Sequence, residues 1–278
     1  MFKNFFRRNR RQAPAERTPA PRNLFEELFP LTPSQREQLE VCVADRYREL
    51  YGEEGYAKLR QYAGQYQKQI VDFHALRVDT LGWEMSQQND RFRVYTSPYG
   101  DTLRLDLEVP TGPLEAGTLA ADLAAYRNRI RGILAGQLGG LISCELLVQE
   151  GVEAYETIGK IPRQERMGVD YLYHLDLRHY GEQRLYQVMV RVHEGEPTGS
   201  RDNLLMQPLS ELAGMDLVQL MAHYRRDPYA PYFAEGNRRN LAELEVFDAL
   251  FPIHPLSIIR REIRPRILAD LRWDGEGA

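Results

Sequence analysis

The spacing of apolar residues along the chain predicts a helical N-terminal region after residue 32. Thr32 stands at a capping position and Pro33 at the first helical position. Large apolar side chains then recur every three or four residues, at Leu39, Val43, Tyr47 and Leu50. A second stripe with the same spacing follows at Tyr56, Leu59, Tyr62, Tyr66, Ile70 and Phe73. Both stripes are typical of amphipathic helices that bury one face.

From about residue 91 the period falls from 3.6 to two, which indicates strands. RFRVY, the turn TSPYGD and TLRLDLEV predict an antiparallel hairpin with one apolar face, formed by Leu103, Leu105, Leu107 and Val109. A helix is predicted next, ending at Gly139 and Gly140. Its inward positions are Leu119, Leu123, Tyr126, Ile130 and Ile133.

Further strands are predicted at LISCELLVQ, at AYETIGKI and in a second hairpin from Asp170 to Glu194. A turn centred on residues 180–183 brings the apolar residues of both hairpin strands onto one face. The predicted pairs are Tyr171 with Val192, Tyr173 with Val190, Leu175 with Val188, and Leu177 with Tyr186. His174 and Asp176 then lie on the opposite face, and His193 lies beside Asp170.

The C-terminal part returns to helical spacing. One helix is predicted from Pro208 to Asp227, with its inward face at Leu212, Met215, Val218 and Met221, and a short helix is predicted after Asn240. In FPIHPLSIIRREI, the last helix is expected to start at Pro255 and to stop at Pro265. Its inward residues are Leu256, Ile259 and Ile263, and its outward residues are Arg260, Arg261 and Arg264.

These elements predict an α+β fold, in which an antiparallel sheet is flanked by helices. We expect a disordered basic tail and linker at residues 1–23 and a helical region at 24–75. The sheet with its crossover helix should span 76–207, and residues 208–278 should form a helical region that packs on the sheet.

Composition and charge narrow the classes of function. Two cysteines cannot build a disulfide framework or a four-cysteine zinc site, and the apolar run at residues 139–148 is too short to cross a bilayer, so a cytoplasmic address is expected. The first 22 residues carry a net charge of +6 and the remainder carries −10. Such an acidic body argues against a nucleic-acid partner.

The basic tail also allows a membrane alternative. Phe2, Phe5 and Phe6 would enter a lipid interface while Arg7 and Arg8 meet anionic headgroups, so that residues 1–12 anchor a peripheral membrane protein. The simpler interpretation is a disordered segment, because the following residues are rich in alanine and proline.

Candidate catalytic groups are few. The chain lacks the G-x-S-x-G, H-E-x-x-H, P-loop and G-x-G-x-x-G motifs, and Cys144 lies in an apolar strand without a neighbouring base. A metal-dependent hydrolase built on His174, Asp176 and His193 is the one enzymatic alternative. The simpler interpretation places these three residues on a solvated sheet face, so no cofactor is expected.

The segment EPTGSRDN resembles an anion-binding loop, because Gly199 and Ser200 could expose backbone amides while Arg201 offers a guanidinium fork. The alternative is that Arg201 and Asp202 tie down an ordinary turn.

Two stretches together resemble a family of bacterial proteins to which no reaction is assigned. They are GKIPRQERMGVDYLYHLDL…VMVRVHEGEPTGSRDN and DPYAPYF…NLAELEVFDALFPIHPLSIIRREI. The KIP, TG-x-R-[DE], DPY and F-P-x-HPLS-x-x-RR motifs carry this resemblance, which covers residues 90–266. The element order also resembles the fold of the PsbP extrinsic proteins, a Ran-binding nuclear-import factor and the DcrB-like proteins. That resemblance implies protein partners rather than catalysis, as for adaptors or chaperones of exported bacterial toxins.

The sequence therefore favours a non-catalytic, protein-binding module over an enzyme. Adaptor, chaperone and immunity protein for a toxin or secretion system are the functions to consider. The predicted binding residues, chosen because tyrosine and arginine are enriched at binding hot spots, are Arg201, Tyr224, Tyr229, Tyr232 and Phe233.

Overall fold

A computed structural model describes residues 32–61, 66–115, 118–149, 152–163, 168–194, 199–225, 227–230 and 232–273. The predicted tail and linker at residues 1–23 lie outside these residues. The membrane-contact prediction for Phe2, Phe5, Phe6, Arg7 and Arg8 therefore falls outside the described structure.

The described residues form an α+β fold, as predicted. The strands are β1 (Ile70–Phe73), β2 (Leu76–Asp79), β3 (Glu84–Gln88), β4 (Phe92–Thr96), β5 (Thr102–Glu108), β6 (Gly140–Gln149), β7 (Val152–Pro162), β8 (Val169–His179), β9 (Arg184–His193) and β10 (Arg272–Trp273). They pair antiparallel in a seven-stranded sheet of order β3-β4-β5-β9-β8-β7-β6 and a three-stranded sheet of order β1-β2-β10.

The helices are α1 (Pro33–Gln61), α2 (Leu119–Gly136), α3 (Ser200–Ala213), α4 (Leu217–Tyr224), α5 (Pro255–Ile258) and α6 (Arg264–Asp270). Short 3₁₀ turns lie at Leu241–Glu243 and Glu245–Phe247, and a π-helical turn at Ile259–Ile263 joins α5 to α6.

The register of the β8–β9 hairpin is the one that the sequence predicts. Tyr171 pairs with Val192, Tyr173 with Val190, Leu175 with Val188, and Leu177 with Tyr186. All eight side chains are at most 5% exposed and form the centre of the largest core cluster. Because a one-residue slip would turn every one of them to the opposite face, burial fixes this register.

The predicted second helix is present after the kink at Gly52 and ends at Gln61, but residues 70–73 form strand β1. Its predicted continuation to Phe73, and with it the end of the helical region at residue 75, is wrong. The chain reverses at His74 (φ 53°), and β1 pairs with β2. The IVDF run is short and apolar, and such runs fit helical and strand periods equally well. Tyr56, Leu59 and Tyr62 fall where side chains are not described.

The inner face of the large sheet is covered by the C-terminal helices and by the small sheet. Leu256, Ile259 and Ile263 are fully buried there, as predicted. Pro265 does not end the helix as predicted. It occupies the start of α6 directly after the π-helical turn, where its missing N–H costs no regular hydrogen bond. The chain then adds β10 to the small sheet, so residues 208–278 are not purely helical.

Helix α1 begins as predicted, since the Gln35 amide donates to Thr32 Oγ1 at 3.3 Å. Its buried residues are Leu39, Val43 and Tyr47. Leu50, predicted to face inward, is 58% exposed. It lies two residues before Gly52, whose φ of 70° interrupts the helix.

The helix predicted from Pro208 is in fact two helices. Helix α3 begins at Ser200, before the predicted boundary, and ends at Gly214, whose φ is 61°. The break changes the phase of α4, so Val218 is 80% exposed and Met221 44% exposed, contrary to prediction. Among the side chains of α4 that the structure describes, Leu220 and Tyr224 are buried. The predicted cap at Asn240 is confirmed on a 3₁₀ turn.

The outer face of the large sheet is only partly covered. Helix α2 packs over β6 and β7, where Tyr126 stacks on Tyr155 at 3.9 Å between ring centroids and Leu134 lies against Gly159. Ile133, predicted to face inward, is 51% exposed because it lies beyond the strands that α2 covers. Among the described residues, no helix covers the outer faces of β8, β9 and β5 beside α2.

Candidate functional site

A groove of about 660 Å³ lies between α2 and the open part of the outer sheet face. We call it the outer groove. One wall comes from α2, the floor from β7, β8 and β9, and the end from the segment after β5. Its apolar residues are Ile130, Ile133, Leu134, Ile161, Leu172, Leu185 and Met189.

Strand pairing orders the floor into four rows. Across β8 and β9 the rows are Leu172 with Arg191, His174 with Met189, Asp176 with Gln187, and Arg178 with Leu185. All eight residues line the groove. Rows on one face are about 6.6 Å apart, so the floor is about 20 Å long from the first to the last.

The groove continues sideways into a second depression of about 460 Å³ over β5 and β4. Both share Glu108, Gln187, Met189 and Arg191. The open surface is therefore broader than a pocket for a small metabolite, and its shape suits a segment of polypeptide.

Three arginines around the groove lack a close carboxylate partner within the part of the chain that the structure describes. Arg129 is 3.8 Å from Asp176, and its side chain is 63% exposed. Arg191 is 3.9 Å from Asp170, a carboxylate that already contacts His193 Nδ1 at 2.7 Å. The guanidinium of Arg178 donates to Thr118 Oγ1 at 3.3 Å. Guanidinium groups have five donors, so much of their hydrogen-bonding capacity remains open.

His174 lies in the middle of the floor. Its Nε2 atom is enclosed and has no hydrogen-bond partner among the described residues. Burial lowers the pKa of His174, against the opposing effect of the Asp176 carboxylate, so the ring is neutral near pH 7.

The structure does not assemble the metal site considered from the sequence. His174 and Asp176 share the outer face with His193, but His193 is four residues along β9 from the partner of His174, about 13 Å away. Both ring nitrogens of His193 are engaged, by Asp170 and by the Gly100 carbonyl. Within the described ranges, no three His, Cys, Asp or Glu side chains could hold a metal ion together.

Cys144 is a core residue in the structure. It is fully buried under α2, Thr157 contacts its Sγ at 3.7 Å, and burial raises the pKa of its thiol. A thiol with a raised pKa is a poor nucleophile at neutral pH.

The TG-x-R-D and HPLS-x-x-RR segments meet on the inner face of the sheet. Arg201 is 1% exposed and donates to Asp248, to Ser257 and to the carbonyls of Ala242 and Leu244. The interpretation that Arg201 ties down its segment is the one the geometry supports. Its predicted place on an exposed binding surface is wrong.

Further buried charges surround Arg201, and we call the set the inner ionic cluster: Lys160, Arg201, Glu243, Asp248, His254 and Arg260. Lys160 Nζ lies 2.8 and 2.9 Å from the two oxygens of Glu243. Burial alone would raise the pKa of Glu243, but the Lys160 ammonium lowers it below its ordinary value. Arg260, predicted to point outward, is only 10% exposed and pairs with Asp248.

A cavity of about 230 Å³ adjoins this cluster and is lined by polar groups. Each of its carboxylates accepts hydrogen bonds: Glu194 from the Gly199 amide, Asp202 from Tyr224 and Asn240, and Glu243 from Lys160. A small cavity with satisfied walls fits ordered water.

The predicted aromatic surface is only partly exposed. Tyr224 is 2% exposed, so it belongs to the core, contrary to prediction. Tyr229 hydrogen-bonds Glu145 and the Cys144 amide beneath the Arg127 guanidinium, and Phe233 lies against Arg131. Tyr232 alone among the five predicted residues is fully exposed, at 100%.

Sequence reasoning missed the outer groove, because its residues come from five separate elements. Its α2 residues, Ile130, Ile133 and Leu134, have the ordinary spacing of an amphipathic stripe, so the helix alone gives no sign of a groove.

The structure is similar to a number of solved structures, among them the following three. The Ran-binding protein Mog1p of Saccharomyces cerevisiae is 9% identical with a TM-score of 0.36, covering 54% of this chain and 94% of that one. A point variant of Mog1 gives 12% identity, TM-score 0.34 and coverages of 56% and 94%. A protein of unknown function from Pseudomonas aeruginosa gives 12% identity, TM-score 0.29 and coverages of 53% and 94%. Similarity of this size carries no inference about partners.

No protein-family model and no curated protein matches the chain. Within the part of the chain that the structure describes, no helix is long and apolar enough to span a membrane.

Proposed function

We propose that this protein is a non-catalytic binding module, an adaptor or chaperone that holds a segment of a partner protein in the outer groove. A cytoplasmic site of action fits its two free cysteines, Cys42 and Cys144.

The observation that carries the proposal is the open groove itself. It combines apolar side chains from α2 and from the floor with arginines that have unmet hydrogen-bonding capacity, which is the composition of a protein-recognition surface. The titratable groups in it do not form a nucleophile–base pair: His174 Nε2 has no partner, and Asp176 faces Arg129.

Site-specific photo-crosslinking in the native host tests this proposal. A benzophenone amino acid replaces Ile133, an exposed residue of the groove wall, and in a control strain it replaces Val218, which is 80% exposed on α4. We expect one dominant adduct with a second protein from position 133 and a much weaker one from position 218. Equal labelling at both positions, or adduct only from 218, would contradict the proposal.

A further inference from the structure

The outer face of the sheet has room for a second helix beside α2. Helix α2 covers β6 and β7, and strands β8, β9 and β5 next to it span about 10 Å between their axes. A helix is about 10 Å wide and packs 8–10 Å from its neighbour. The outer groove therefore has the width that one more helix needs to complete the layer.

An extended peptide fits this surface less well. The floor consists of side chains on the flat face of the sheet, so an extended segment lying on it would find no strand edge with which to pair its backbone. A helix satisfies its own backbone hydrogen bonds and can place apolar side chains on Leu172, Leu185 and Met189.

Charge complementarity identifies the polar side of the occupant. Arg129, Arg178 and Arg191 stand around the groove, whereas its carboxylates are Asp176 and Glu108. The groove thus carries an excess of one positive charge on a body whose net charge, without the first 22 residues, is −10. By contrast, Arg104 just outside is fully paired with Asp106, at 2.6 and 2.7 Å.

From these observations we infer that the outer groove binds an amphipathic helix of a partner protein, with an apolar stripe flanked by Asp or Glu residues. The floor of about 20 Å corresponds to about 13 helical residues. The arginines at the two ends of the floor, Arg191 and Arg178, contact carboxylates near the two ends of that helix. This inference rests on the proposed function and adds the chemistry of the partner.

Fluorescence anisotropy with the full-length protein tests the inference. The probes are three labelled helical peptides of about 14 residues. The first has a leucine stripe and glutamate flanks, the second has lysine in place of every glutamate, and the third has the residues of the first in scrambled order. We expect the glutamate peptide to bind, and the lysine and scrambled peptides to bind at least about tenfold more weakly. Lysine and glutamate peptides of equal affinity would overturn the inference.

Charge-reversed variants locate the binding. Arg191→Glu and Arg129→Glu should each lower the affinity for the glutamate peptide about tenfold and raise the affinity for the lysine peptide. The affinity for the glutamate peptide should also depend less on salt. Arg36→Glu, the same change on the exposed start of α1, is the matched control and should leave affinity unchanged. A loss in R36E equal to that in R191E would contradict binding in the groove.

Two further outcomes separate the possible failures. If oleate binds with an affinity that R191E lowers, while the glutamate peptide binds no better than its scrambled form, the groove takes a fatty acid and the inference is overturned. If crosslinking at position 133 captures a partner but the peptides show no preference for glutamate, the proposed function stands and the acidic helix does not.

Discussion

The inner ionic cluster and the outer groove both place charged side chains against the same sheet, and they use those charges in opposite ways. In the cluster, Lys160 meets Glu243 at 2.8 Å and Arg201 meets Asp248 at 2.8 Å, all at most 4% exposed. In the groove, Arg129 and Arg191 stand 3.8 and 3.9 Å from their nearest carboxylates and remain open to solvent. Closed pairs join segments of one chain, whereas open charges are available to a second molecule.

The comparison also shows that the residues that stand out in the sequence are not the residues that a partner could reach. The motifs that stand out in the sequence, around Arg201 and His254, lie in the cluster and bind the C-terminal segment to the sheet. The groove residues come from ordinary helix and strand patterns. In this protein, the motifs with many charged and polar residues therefore connect two segments inside the fold. The surface suited to a partner carries no distinctive sequence motif.

The largest expected effect comes from breaking one pair of the cluster. Lys160→Met leaves Glu243 buried without its ammonium, and we expect it to lower the free energy of unfolding by about 3–5 kcal/mol. Urea denaturation followed by circular dichroism measures this. The double variant K160M/E243L removes both charges and should recover much of the loss. A single variant as stable as the wild type would show that the pair contributes nothing.

The sequence predicted the fold correctly where the pattern of apolar residues was compatible with only one structure. In the β8–β9 hairpin, the alternation on both strands and the position of the turn agreed on a single register, and the structure has it. The prediction was wrong where a short run fitted two periods, as at Ile70–Phe73, and where one glycine, Gly214, changed the phase of a helix.

The candidate site was less accessible. Arg201 was counted among the binding residues because arginine is enriched at binding hot spots, yet it lies in the first turn of α3 and is 1% exposed. Ile133 was placed in the core because it follows the apolar stripe of α2. In the structure it extends past the strands that α2 covers, and it is 51% exposed. Both errors depend on contacts between distant segments, which local periodicity does not contain.

An intermediate effect is expected from pH. Burial, and next the positive charge of Arg201, lower the pKa of His254 well below its ordinary value of about 6.5. Below about pH 6.5 the unfolded chain therefore takes up a proton that the folded chain does not, and stability falls by up to about 1.4 kcal/mol per pH unit. Burial raises the pKa of Glu194 and Asp202, whose protonation in the folded state offsets part of this loss at lower pH.

The variant His254→Asn keeps an acceptor for the Leu256 amide and removes this titration. Between pH 7 and 5.5 its unfolding free energy should fall less steeply than that of the wild type. The same substitution at His74, an exposed residue whose φ of 53° asparagine accepts, is the matched control. Identical slopes for H254N and wild type would contradict the assignment.

The smallest effect on stability should come from the groove. Arg191→Glu changes an open charge, so we expect its unfolding free energy to stay within about 0.5 kcal/mol of the wild type while peptide affinity falls. Thermal unfolding and anisotropy on the same samples measure both. A variant that loses several kcal/mol of stability would show that Arg191 forms a stabilising ion pair within the chain, like those of the inner ionic cluster.

The most direct test of the account is a methyl NMR titration of the protein, labelled at the methionine methyl groups, with the glutamate peptide. Met189 lies on the groove floor, whereas Met85 and Met221 are exposed elsewhere, on β3 and α4. We expect the Met189 resonance to shift and saturate with the peptide while those of Met85 and Met221 stay in place. A saturating shift at Met85 or Met221 with Met189 unchanged would contradict a binding site in the outer groove.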